Sequence, residues 1–145
     1  MKKPFISIFF LFSVLTIGCN NNTKWHNESQ VFKTYLEAAF HTKIPQNRHY
    51  YFLVPGSQCG GCNFYDGKTL DSALNENLTI ISTFPPTNFS NFKHLWEDTS
   101  KQLVNLAFVN FTNKLLVTNN GEVQSVSMVY NFYRQLDSLN AQNKP

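Results

Sequence analysis

Cys59-Gly60-Gly61-Cys62 is the one place in the chain where residue type and spacing together prescribe a chemistry. Two thiols three positions apart can close a small disulfide ring, and exposed amides and the dipole at a helix start favour the thiolate that exchange requires. The context suits this. His49 to Val54 is aromatic and β-branched, the pattern of a buried strand, and Pro55-Gly56-Ser57 breaks it just before the cysteines. Cys62 to Asn75 then carries a helical pattern, interrupted at Asp66-Gly67. A strand, a short loop and Cys-x-x-Cys at a helix start is the setting in which such a pair reads as redox-active.

Plainer readings stand beside that one. A structural disulfide would merely stiffen a loop, but a ring this short adds little loop-closure entropy compared with a long-range bridge. A thiolate metal carrier needs ligands beyond two sulfurs, and none of His26, His41, His49 and His94 sits at ligand spacing from the cysteines. No metal and no cofactor is therefore expected. The histidines are expected at the surface or at helix ends, with His49 at the end of its strand far from Cys59. The aromatic residues (Phe 14, Tyr 6, Trp 2) fall mostly at core periodicity, with Tyr65 the exception, on the helix beside the disulfide.

The front of the chain speaks to compartment. Met1-Lys2-Lys3 is basic and Pro4 to Ile17 is apolar, too short to span a bilayer comfortably and in the charge-then-apolar order of an export signal. Leu15-Thr16-Ile17-Gly18-Cys19 resembles the lipobox of bacterial lipoproteins, with Thr16 where the family usually has Leu and Leu15 one place further back. The resemblance implies a signal peptide over 1–18, lipidation of Cys19 and attachment to a membrane facing the periplasm. Ordinary signal cleavage after Gly18 remains the alternative; both export the protein. With Cys19 lipidated, Cys59 and Cys62 are an even pair in an oxidising compartment. Lys2 and Lys3 carry two of the three net positive charges, so the basic balance partly belongs to the signal and no nucleic-acid partner is suggested.

The elements that must position the thiols follow from periodicity. Residues 19–27 form the lipidated Cys and a polar, Asn-rich tether, and 28–145 one domain. Glu28 to His41 predicts an amphipathic helix with Val31, Phe32, Tyr35, Leu36, Ala39 and Phe40 on its apolar face. Leu78 to Phe84 predicts a second strand ended by Pro85-Pro86, and Asn88 to Leu106 a helix with Phe89, Phe92, Leu95 and Trp96 on one side. Leu115 to Thr118 and Glu122 to Val129 predict a hairpin across Asn119-Asn120-Gly121, and Tyr130 to Asn140 a closing helix that buries Phe132, Tyr133, Leu136 and Leu139.

That order, with the Cys-x-x-Cys after the first strand and the late strand–Asn-Gly–strand of Lys114 to Val123, resembles the thioredoxin-like fold over residues 28–140. The resemblance implies an α/β domain in three layers, a central mixed sheet of about four strands flanked by helices. It implies Cys59 as attacking thiolate, Cys62 as resolving thiol, and protein dithiols or disulfides as partners. Three positions depart from the family. Gln58 replaces the Trp before the first Cys, Leu53 stands where a buried acid is usual, and Asn113 occupies the place of the cis-proline that faces the disulfide. Thr112 and Asn113 then mark the substrate groove. These departures motivate the main alternative, a non-enzymatic binding module whose disulfide is structural.

Overall fold

The computed structural model describes residues 24–56, 71–84 and 92–142. Cys19, Cys59, Cys62 and Tyr65 lie outside them. Helix α1 spans His26–Phe40 and so begins two residues inside the expected tether. It buries Phe32, Tyr35 and Leu36 as the spacing predicts, whereas Val31 at the margin of that stripe is 42% exposed. His41 ends it in the left-handed conformation (φ 52), its N–H returning to the Glu37 carbonyl.

Strand β1 (His49–Val54) is buried at all six positions. It lies mid-sheet, parallel to β2 (Leu78–Ser82) and antiparallel to β4 (Lys114–Asn119). A strand covered on both faces needs apolar residues at successive positions, which is why β1 shows no alternation. Short helix α2 (Ser72–Glu76) precedes β2 and is capped by Asp71 Oδ1, which accepts from the Ala73 and Leu74 amides. Strand β5 (Glu122–Met128) completes the hairpin with β4, turning on Asn120 (φ 53) and Gly121 (φ 72). Both central residues of such a turn need positive φ, hence Asn-Gly. The register shifts between Val117 and Thr118, where β5 carries one extra residue, Gln124. Helix α3 (Phe132–Gln142) closes the fold, with Asn131 Oδ1 accepting from the Arg134 amide at its start.

The segment 88–106 overturns the expected helix. Within its described part, His94–Glu97 is a strand, β3, paired parallel to β2, and Gln102–Asn105 is a 3₁₀ turn. Phe92, Leu95 and Trp96 do match a helical stripe, but Leu95 packs on one face of the sheet and Trp96 on the other. The open edge of β2 supplies backbone partners that outweigh a marginal local helix. Among the described residues the sheet therefore has five strands, in the order β3-β2-β1-β4-β5, where about four were expected.

Two cores sandwich this sheet. Tyr50, Phe52, Leu78, Ile80 and Leu115 meet Phe132, Leu136 and Leu139 of α3 on one face, with Phe52 and Phe132 rings stacked at 4.2 Å. Tyr51, Leu53, Ile81 and Leu116 meet Phe32, Tyr35 and Leu36 of α1 on the other. No helix among the described residues is long and apolar enough to cross a membrane.

Candidate functional site at the carboxyl edge of the sheet

The register collects one end of every strand along a single edge. Val54 lies beside Ser82, Ser82 beside Glu97, Leu53 opposite Lys114, and Lys114 opposite Met128. The chain leaves β1 at this edge, through Pro55 and Gly56, toward the segment bearing Cys59 and Cys62. The edge is stitched by hydrogen bonds that use what the strand ends leave unpaired. Thr83 donates its amide to the Val54 carbonyl (3.2 Å) and its hydroxyl to the Pro55 carbonyl (2.9 Å). Asp98 donates its amide to the Ser82 carbonyl (2.8 Å).

Asp98 is a buried acid, 1% exposed, that the helical reading of its segment concealed. Its carboxylate accepts from the Leu103 amide (2.6 Å) and the Ser100 hydroxyl (2.5 Å), which starts the 3₁₀ turn. The signal in sequence was Asp98-Thr99-Ser100, a turn-forming run that ends a strand more readily than it continues a helix. The Tyr35 hydroxyl is buried near this carboxylate without an aligned hydrogen bond. Burial first, and the Asp98 charge second, push the phenol far above its ordinary value, so it stays protonated.

Thr112 and Asn113 also come to this edge, in the loop that enters β4. The Thr112 amide (3.0 Å) and hydroxyl (2.8 Å) both donate to the Val109 carbonyl, and the Asn113 carbonyl accepts from Val129 (2.9 Å). The peptide bonds of the described residues are all trans. Four large apolar side chains that the core reading missed are exposed: Phe84 is 37%, Phe111 73%, Met128 43% and Tyr130 91% exposed. Sequence carries only a faint mark of them, because Asn110 and Asn131 beside Phe111 and Tyr130 read simply as turn residues.

The opposite edge holds the histidines of the sheet. His49 lies there, away from Gly56 as expected, but it is buried (7% exposed) rather than at the surface. Its Nε2 is 2.9 Å from Thr79 Oγ1, and Thr79 is opposite His94 in the register. Burial first, and His94 second, lower the His49 pKa to about 4. Among the described residues no group of three or more His, Cys, Asp or Glu is placed to hold a metal ion. No protein-family model, characterised protein or solved structure matches the chain.

Proposed function

We propose that the chain is an exported, lipid-anchored protein of thioredoxin-like fold that exchanges thiols and disulfides through Cys59 and Cys62. The observation that carries this reading is the arrangement β2-β1-β4-β5, with β1 parallel to β2, antiparallel to β4, and leading at its carboxyl end into the segment with the two cysteines. Strand β3 adds an outer edge beside β2. Ligands and reacting groups of open α/β sheets gather beyond the carboxyl ends of the strands, near where the strand order changes direction, and β1 is that strand here.

In the exchange, the Cys59 thiolate attacks one sulfur of a substrate disulfide. A Cys59–substrate disulfide forms and the other substrate sulfur leaves as thiolate. Cys62 then attacks Cys59, releasing the second substrate thiol and leaving the Cys59–Cys62 disulfide. Two electrons pass to the substrate, and a partner dithiol restores the pair by the same steps. The net direction follows from the potentials of the partners. The lipid on Cys19 would hold the domain at a membrane on the periplasmic side, where protein dithiols and disulfides are its partners.

A second reading has its own support. Asn113 brings no proline ring to the groove, and the Thr112 amide and Asn113 carbonyl are already hydrogen-bonded within the chain. That favours a binding module with a structural disulfide. Titration of the pair in redox buffers, with alkylation read by mass, separates the two. A potential above about −300 mV fits an exchanging pair. A pair that stays oxidised at the most reducing poise removes the enzymatic reading.

A further inference from the structure

Lys93-His94-Leu95-Trp96-Glu97 reads with opposite charges on either side of Leu95, a cation two residues before it and an anion two residues after. His94–Glu97 of this run is β3, the outermost strand beside β2. Its backbone groups face alternately inward and outward. The Asp98 amide donates to the Ser82 carbonyl (2.8 Å), and Ser82 lies beside Glu97 in the register, so the groups of Trp96 and Asp98 face β2. The amides and carbonyls of Leu95 and Glu97 therefore point away from the sheet, and no described residue bonds to them. The Leu95 and Trp96 side chains are only half-buried.

An edge of this kind is a template for another strand unless something blunts it. The other outer strand, β5, is blunted by its extra residue Gln124, which interrupts the ladder and bends the strand. β3 has neither a bulge nor a proline. What fits it follows from the order of its charges. A second copy laid antiparallel, with Leu95 facing Leu95, sets Lys93 of each chain opposite Glu97 of the other. His94 falls opposite Trp96, the two Leu95 residues exchange both of their outward backbone bonds, and each Glu97 amide meets a Lys93 carbonyl. Lys93 already holds Glu76 at the surface (2.5 Å), and an ammonium with three donors can serve a second carboxylate. Sliding one strand by two residues sets Glu97 against Leu95 or leaves it beyond the strand, so the charges select a single register.

We propose that β3 is the interface of a two-fold dimer, in which the sheets of two copies of this chain join antiparallel into one continuous sheet. The symmetry axis is normal to the sheet and keeps both α1 helices on one face and both α3 helices on the other. Under the lipid-anchor reading both tethers then leave from one face toward one membrane; the dimer itself does not depend on that reading. Sedimentation of the full chain in mild detergent, over a concentration series, should show a monomer–dimer equilibrium. Glu97→Pro should raise the dissociation constant at least about tenfold, because by symmetry it removes two backbone bonds and two ion pairs. Its melting temperature should hold, since the Glu97 amide faces away from β2 and proline is tolerated at such a position. Glu97→Lys and Lys93→Glu should each sediment as monomers, like charges meeting twice in either pairing. An equimolar mixture of these two variants should dimerise again, a rescue that belongs to this register and that misfolding of either variant could not produce. A wild-type chain that stays monomeric across the series overturns the proposal. So does a mixture that remains monomeric, or a dimer that Glu97→Pro leaves intact, which another surface would be holding.

Discussion

His49 enters the sheet as a neutral ring walled in beside Thr79, with its own carbonyl accepting from Thr118 Oγ1 (3.2 Å). Its pKa is about 4 in the fold against an ordinary value of 6.5. Between those values the unfolded chain binds the proton and the folded chain does not, so acid favours unfolding. Stability should therefore be level above about pH 6.5 and fall as the pH drops toward 4, by about 3 kcal/mol at most over the full shift. Urea unfolding of wild type and His49→Gln from pH 7.5 to 4.5 checks this. Gln has no proton to gain and should flatten the slope between pH 6.5 and 5, while His26, His41 and His94 remain in both chains. An unchanged slope would mean that another group carries the acid sensitivity.

At the level of elements, legibility tracked how local the deciding interaction is. β1 was readable because five apolar residues in a row, Tyr50 to Val54, cut by Pro55-Gly56, leave a buried strand as the economical solution. The hairpin was readable because Asn120-Gly121 states the turn by itself; a Cβ on Gly121 would also lie 2.8 Å from Gln46 Nε2. β3 was not readable. A segment whose Phe92, Leu95 and Trp96 fit a helical stripe becomes a strand only because β2 has a free edge, and that is a fact about the sheet, not about His94–Glu97. Asp98 was hidden with it, and Phe111 was hidden because composition does not say which aromatic faces water. The strand assignment makes a specific claim about Trp96, which meets Phe40 of α1 at 5.0 Å between ring centroids, on the face opposite Leu95. A double-mutant cycle of Trp96→Ala with Phe40→Ala should give a coupling of about 0.5–1.5 kcal/mol, the usual worth of an aromatic pair. Leu95→Ala with Phe40→Ala should be additive. A Leu95–Phe40 coupling as large as that of Trp96 would return the segment to a helix with both residues on one side.

For the whole molecule, the question is whether the fold depends on the bond it would have to make and break. Its stability comes from two apolar cores clamped on β1 and β2, which are buried at every position, and the described elements interlock without any covalent staple. Closing a four-residue ring such as Cys59–Cys62 restricts the unfolded chain by only about 2 kcal/mol in the chain-entropy account. By the same cycle, oxidised and reduced chains that differ by about 2 kcal/mol have a pair whose potential folding shifts by about 40 mV. That is small enough for partners to push electrons either way. Urea unfolding of the full chain, once oxidised and once held reduced, should therefore give stabilities within about 2 kcal/mol of each other. A gap above about 4 kcal/mol would lower the potential of the folded pair by roughly 90 mV. The disulfide would then be part of what keeps the chain folded, and the carboxyl edge would bind partners without exchanging electrons with them.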